Sequence, residues 1–368
     1  MILVTGGAGF IGSHLVDFLL KEGYRVRVLD SFHPQVHPRK PSYLNERAEY
    51  VEGDIRDRKL LEEVLKDVEG IFHFSARVGV GQSMYQIEDY LDSNVRGTGT
   101  LLDVLVNSSH RVKKLVVASS MSIYGEGVYE CCRCGKVYPE GRREEDLKEG
   151  IWEVRCPHCL NFVKPLPTPE DKPLHSTSIY AQSKKFQEEI CLLVGKIYGI
   201  PVVALRFFNV FGSRQFLSNP YTGVVAIFLS RILNGHPPVI FEDGKQTRDF
   251  IHVRDVVRAC YLAYIKEEAN FLSLNVGRGE PVEIKEIARI LQRMVKKEVG
   301  MEIKGRYRKG DVRHCYADTT LIQERLSFKP CIGLEEGMEE IIPWMQKEIV
   351  EDHLPKALKE LEERGLIE

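Results

Sequence analysis

The sequence predicts a doubly wound α/β fold, a parallel sheet with helices on both faces, and three observations carry that expectation. A short apolar run at 2–5 ends in glycines and passes into helical periodicity over 11–20. A β-branched run at 24–29 follows, closed by Asp30, and strand, glycine-rich turn, helix and strand together open a βαβ unit. The same alternation then continues down the chain, which is the pattern of a parallel sheet wound from both sides.

The later elements are placed by the same periodicities. Strands are expected at 49–52, 70–74, 114–118, 202–207 and 272–276, and helices at 59–66, 95–105, 181–198 and 253–265. Two stretches break the rhythm. Residues 126–167 carry a cluster of cysteines, little helical periodicity and a proline-rich exit at Pro165, Pro167, Pro169 and Pro173, and read as an inserted module. Residues 212–247, and the chain after Gly277, are richer in Gly, Pro and Arg, as suits a smaller α/β lobe. The expected division is a Rossmann-type nucleotide-binding unit from 1–125, 168–207 and 248–276, the insert at 126–167, and a substrate-binding lobe from 208–247 and 277–368. The tail over 335–368 is amphipathic and mostly helical, and Pro343 and Pro355 are expected to interrupt it.

Composition narrows the class. Of 368 residues, 43% are hydrophobic and 28% charged, which excludes a disordered chain. The 51 basic and 53 acidic residues leave a net charge of −2, so there is no basic surplus for tracking nucleic-acid phosphates. No apolar run approaches the roughly 18–20 residues that cross a bilayer, and no signal segment precedes the first strand; no membrane partner is expected, and the location is read as cytoplasmic. Nine cysteines do not make a disulfide scaffold in so long a chain. Cys131, Cys132, Cys134, Cys156 and Cys159 cluster, whereas Cys191, Cys260, Cys315 and Cys331 are scattered.

Gly6, Gly9 and Gly12 form G-x-x-G-x-x-G directly after the first strand. Side chains there would fill the turn and keep a pyrophosphate from the backbone, whose free N–H groups at the helix start attract an anion. Asp30 ends the second strand, 18 residues after Gly12, near the spacing at which a carboxylate meets ribose hydroxyls. Its charge would repel a 2′-phosphate, which favours NAD over NADP; the alternative is a turn residue.

Tyr180 and Lys184 stand four apart in Y-A-Q-S-K, on one face of an expected helix. A phenol is a poor base at its ordinary pKa of about 10, and an ammonium and a cationic nicotinamide nearby would bring it down. Ser119 and Ser120 end the strand before, where ligands bind in open α/β sheets. Together these groups describe alcohol–ketone hydride chemistry.

These motifs belong to a longer series: TGGAGFIG at 5–12, GDI at 53–55, HFSA at 73–76, NVRGT at 94–98, SSMSIYG at 119–125, YAQSK at 180–184, RFFNVFG at 206–212 and RDFIHV at 248–253. In them the chain resembles the extended short-chain dehydrogenase/reductase family, specifically its nucleotide-sugar epimerases such as the UDP-galactose 4-epimerases. The resemblance implies a Tyr180 base, a Lys184 that binds the nicotinamide ribose and tunes Tyr180, and a Ser120 that holds the reacting oxygen. It places Phe10, Ile11, Asp54, Ile55, Phe74, Ala76, Asn94 and Ser119 beside NAD. Ser122, Asn209, Arg248 and Arg308 fall to a nucleotide-diphosphate sugar, the arginines neutralising its phosphates unless they are surface ion pairs. It further implies a homodimer through the helices near Val95 and Ala181. The related 4,6-dehydratases carry an Asp-Glu pair where Met121 and Ser122 stand here, so water elimination is disfavoured and epimerisation at C4 favoured. A decarboxylase or keto-sugar reductase on the same scaffold, or a non-catalytic NAD-sensing docking protein, remains a rival.

Cys131-x-x-Cys134 and Cys156-x-x-Cys159, with 21 residues between them, have the spacing of a four-thiolate zinc ribbon; Cys132 and His158 are less suited as ligands. Four thiolates leave no open position, so the metal is structural, though the ribbon itself could dock a partner. An insertion at this point associates the chain with dTDP-L-rhamnose 4-epimerase-like members, with UDP-glucose/UDP-galactose as the competing substrate pair.

Overall fold

The computed structural model describes residues 1–348 and 350–368. Its central sheet takes β1 (Ile2–Thr5), β2 (Val26–Asp30), β3 (Glu49–Glu52), β4 (Gly70–His73) and β5 (Lys114–Ser120) from the first third of the chain. The insert follows as β6 (Val128–Cys131), β7 (Gly135–Val137) and β8 (Lys164–Leu166), an antiparallel sheet with β6 in the middle. Next come β9 (Val202–Phe207), β10 (Asn209–Phe211), β11 (Val239–Ile240), β12 (Thr247–His252), β13 (Ser273–Val276), β14 (Pro281–Glu283), β15 (Glu302–Ile303) and β16 (His314–Cys315).

The central sheet has seven parallel strands in the order β13-β9-β5-β4-β1-β2-β3. Its strands are apolar on both faces because both are covered. One face packs Leu15, Val16 and Leu19 of helix Phe10–Lys21 with Val256 and Cys260 of helix Val253–Ile265. The other packs Leu61, Leu101, Leu105 and Cys191 from three further helices. Strand order reverses between β1 and β4, so their connections leave in opposite directions and open a crevice at the carboxyl ends. That position is what the fold gives the site.

The second lobe is built on β10, β12, β14 and β16, with β11 and β15 paired beside them, around a core that includes Phe211, Phe228, Phe250 and Ile287. Two expectations need correction here. Strand β12 lies in the second lobe's sheet, although 248–252 fall in the stretch assigned to the nucleotide-binding unit. Conversely, Ile322, Leu326 and Phe328, assigned to the smaller lobe, are fully buried in the nucleotide side's core. The tail is interrupted at both prolines as expected: Leu334–Glu339 gives way to Ile341–Met345, which holds Pro343, and a separate helix, Leu354–Glu363, carries Pro355 in its first turn, where a missing N–H costs nothing. The helix expected over 95–105 starts as a π-turn, Leu91–Arg96, before continuing as Gly97–Asn107.

Candidate active site

The crevice widens into a cleft of about 690 Å³ that runs from the glycine turn to the second lobe. At its first end Gly6 takes φ 69°, and a Cβ there would lie 2.9 Å from the backbone of Phe74 and Ser75. A Cβ on Gly12 would lie 2.3 Å from the Gly6 carbonyl oxygen. The helix Phe10–Lys21 begins at Gly9 with no side-chain cap, so its first N–H groups are left for a ligand. Gly6, Gly9, Phe10, Ile11 and Gly12 all line the cleft.

Asp30 lines it too, and shapes the turn as well: one carboxylate oxygen accepts from the Ala8 N–H at 3.0 Å, the other from Phe32 at 2.9 Å. Asp54 is clamped by Arg56 at 2.8 and 2.6 Å, which holds its carboxyl below the usual range. Ile55, Phe74 and Ala76 complete this wall. Asn94 differs from expectation. It lies fully buried behind the wall, accepting from the Arg77 N–H (2.7 Å) and donating to the Arg77 carbonyl (3.1 Å) and Ser183 (2.9 Å). It braces the loop after β4 and does not line the cleft.

The three chemical groups converge midway. Ser120 ends β5, and its Oγ accepts from the Ser122 N–H at 3.2 Å and the Ser122 hydroxyl at 2.9 Å, capping the turn Met121–Tyr124. Ser119 faces the other way. Its hydroxyl donates to Glu188 at 2.6 Å in the core, so only its remaining atoms meet the cleft. Ser178 caps the helix Ile179–Tyr198 by accepting from the Ala181 N–H at 3.1 Å, which puts Tyr180 in the first turn, at the positive end of the helix dipole. Burial pushes the Tyr180 phenol up, and the neighbouring Ser120 hydroxyl opposes this. Lys184 is buried and donates to Gln187 at 3.0 Å; burial brings its pKa to about 8.

At the far end Asn209 carries a buried Oδ1 without a partner among the described residues. Arg248 donates to the carbonyls of Thr247, Val312 and Arg313 at 2.8, 2.6 and 3.1 Å, and to the Asp311 carboxylate at 3.0 Å. Arg308 reaches the other oxygen of Asp311 at 2.6 Å and lies over the Phe241 ring. Both arginines and Ser122 line the cleft. Two walls were not anticipated. The loop around Val80 lines it, and so does the C-terminal helix Leu354–Glu363, fastened by Tyr85 and Tyr221, each donating to Glu360 at 2.8 Å. No spacing in the sequence signals either, because both are brought in by long-range packing.

In the insert, the sulfurs of Cys131, Cys134, Cys156 and Cys159 lie within 4.8 Å of one another, while Cys132 and His158 stand outside the group. Gly135 takes φ 70° just after the first pair, as the knuckle requires. Four sulfurs tetrahedral about an ion at about 2.3 Å would be roughly 3.8 Å apart, so the set fits a zinc-sized ion.

A doubly wound sheet with a glycine turn, a carboxylate at the end of its second strand and a Ser-Tyr-Lys group in one cleft defines a dinucleotide-dependent enzyme of the short-chain dehydrogenase/reductase type. The model of the NAD dependent epimerase/dehydratase family matches residues 2–141 and 163–277. The dTDP-L-rhamnose 4-epimerase of Burkholderia thailandensis is 33% identical over 95% of both chains. A UDP-glucose 4-epimerase structure from Thermotoga maritima, with UDP-glucose, superposes with a TM-score of 0.76 at 32% identity, covering 94% of this chain and 98% of the other. The UDP-glucuronic acid 4-epimerase of Bacillus cereus, bound to UDP-glucuronic acid and NAD, gives 0.77 at 26% identity, covering 94% and 99%. The chain belongs to the NAD-dependent epimerase/dehydratase family, on its nucleotide-sugar 4-epimerase branch.

Proposed function

We propose that the protein inverts C4 of a nucleotide-diphosphate sugar, with dTDP-L-rhamnose as the first substrate to test and the UDP-glucose/UDP-galactose pair as the second. The observation that carries this is the meeting of Ser120 and Tyr180 between the glycine turn and the paired arginines, in one continuous cleft. Gly6, Gly9, Phe10, Ile11 and Gly12 would hold the pyrophosphate of NAD, Asp30 the adenosine ribose, Asp54, Ile55, Phe74 and Ala76 the adjoining walls, and Lys184 the nicotinamide ribose. Bound there, NAD supplies a hydride acceptor and donor for one sugar carbon. Ser120 holds the C4 oxygen, and Tyr180 takes its proton and later returns it. Ser122 and Asn209 orient the sugar, and Arg248 and Arg308 hold the diphosphate about which the keto-sugar turns to present its other face. Met121 and Ser122 offer no acid–base pair for dehydration.

Zinc on Cys131, Cys134, Cys156 and Cys159 is structural in this reading, and such a thiolate site suits a reducing, cytoplasmic setting. A homodimer is supported by the apolar residues that two neighbouring helical segments leave exposed: Ile87 and Leu91 on one, Phe186, Leu193 and Ile197 on the other. The test of function is product analysis: purified protein, one nucleotide sugar, no added NAD. Formation of the C4 epimer is expected, and release of CO2 or a demand for reduced cofactor would overturn it. Tyr180→Phe should lower turnover about a thousandfold or more while bound NAD, read by absorbance after denaturation, is retained. Unchanged turnover would remove Tyr180 as the base.

A further inference from the structure

We propose that the inserted cysteine module is a positioning element for the diphosphate end of the cleft, and that Arg142 is its principal residue. The inference rests on the functional reading above, in which Arg248 and Arg308 grip the substrate's phosphates.

Arg248 stands on β12, but most of its guanidinium's acceptors come from outside that strand. Its place is set by the short segment 311–313, whose two carbonyls and one carboxylate accept from it. That segment has no regular structure, and three residues of the insert fix it from the opposite side. Glu126, only 1% exposed, accepts from the Arg313 N–H at 2.7 Å and the His314 N–H at 3.3 Å. Arg142, with its side chain 3% exposed, donates to the Asp311 carbonyl at 3.0 Å and pairs with the buried Glu242 at 2.7 Å. Glu153 accepts from Arg313 at 2.5 Å and pairs with His314 at 3.1 Å. The fully buried Arg313 closes the cluster through Glu242 at 2.9 Å and Asp243 at 2.7 Å.

The insert thus presses on one side of a strip of backbone whose other side carries the phosphate-binding arginines. The same loop reaches toward the chemistry, since Thr177, three residues before Tyr180, donates to the Gly310 carbonyl at 2.7 Å. A buried charge commits its neighbours to one geometry, because any other leaves it unpaired. Arg142 holds Glu242 and the Asp311 carbonyl at once, so it fixes the height of Asp311 and, through it, both arginines. Arg142 and Glu153 fall outside the stretches matched by the family model, 2–141 and 163–277. The device therefore lies outside the part of the chain that defines the family, beside the thiolate cluster that would give it a rigid seat.

The test is a comparison of Arg142→Met, Arg142→Lys and Glu153→Gln with the unmodified protein. The measurements are steady-state kinetics on the converted nucleotide sugar, calorimetric titration with UDP and dTDP, and bound NAD per chain. Arg142→Met should raise KM and the nucleoside diphosphate Kd about tenfold, with kcat within about twofold and bound NAD unchanged. Arg142→Lys should recover part of the loss, and Glu153→Gln, whose side chain is 44% exposed, should shift both constants about threefold in the same direction. Unaltered KM and Kd in folded variants, or a fall confined to kcat, would overturn the proposal. Should Arg142→Met fail to fold, Glu153→Gln decides alone. Absence of turnover in the unmodified protein would sink the functional reading instead, and the UDP and dTDP titrations would still judge the positioning role.

Discussion

The two ends of the cleft are built on different terms. At the cofactor end the ligand-facing atoms are largely backbone N–H groups of one turn, and the residues that matter lie within a few positions of strand ends β1, β2 and β4. At the substrate end the arginines come from β12 and from an irregular loop some sixty residues later, and they are held by the insert and roofed by the C-terminal helix. Backbone geometry is a local property of sequence, whereas a wall assembled from distant segments is not. The first end should therefore fail abruptly when its turn is altered, and the second should weaken by degrees.

The largest effect is expected at Gly12. An alanine Cβ would sit 2.3 Å from the Gly6 carbonyl oxygen and 2.7 Å from the Gly7 Cα, both backbone atoms of the turn itself, so the helix start must move. Gly12→Ala should reduce bound NAD to under about a tenth of the unmodified level and lower Tm. Gly9→Ala meets only the Gly6 oxygen at 3.3 Å, and its loss should be smaller. A Gly12→Ala protein that purifies with full NAD would show that the turn tolerates displacement and would erase the contrast between the two ends.

The same division explains what could be read from the sequence. The parallel sheet, the glycine turn, Asp30 and the Tyr180–Lys184 pair follow from spacing, because helix and strand periodicities translate number along the chain into position. The cysteine quartet is equally legible, since each C-x-x-C pair closes a local knuckle. Asn94 and Ser119 are placed by motif beside NAD; Ser119 does line the cleft but spends its hydroxyl on Glu188, and Asn94 spends its amide on Arg77 and Ser183. Motif membership fixes where a residue stands, and its hydrogen-bond partners decide which way it faces. The Tyr85–Tyr221–Glu360 fastening spans 275 positions and leaves no trace in periodicity.

A graded response is the expectation for Arg308, whose carboxylate partner is Asp311 and whose side chain is 43% exposed. Arg308→Met should raise KM about tenfold, the scale of one lost charge-assisted hydrogen bond in a partly solvated place, with bound NAD and kcat nearly unchanged. A change in NAD content here would mean that the two ends are mechanically one site.

Acid should separate the ends in the opposite order of their ligand sensitivity. His73, at the end of β4 beneath the glycine turn, is almost wholly buried, and burial pushes its pKa down to about 3. Its ring contacts Thr5 through Nδ1 at 2.8 Å and Thr98 through Nε2 at 2.9 Å. Because the Thr98 hydroxyl is donated to the Asn94 carbonyl at 2.6 Å, Nε2 carries the proton and Nδ1 accepts from Thr5, a neutral ring satisfied on both sides. Between pH 6.5 and about 3 the unfolded chain binds a proton here that the folded chain refuses, so stability falls as pH is lowered through that window. At pH 5 the loss from His73 alone is about 2 kcal/mol relative to neutral pH. At the substrate end the arginines hold the Asp311 carboxyl well below the usual range, so its contribution persists until the pH drops beneath the ordinary carboxylate value, near 3.8. Denaturant titrations at pH 7 and pH 5 should therefore show a smaller pH-dependent loss for His73→Gln than for the unmodified protein, whatever the variant's stability at neutral pH. Equal losses would place the acid-sensitive group elsewhere, with His252 and its pKa near 4 as the next to test.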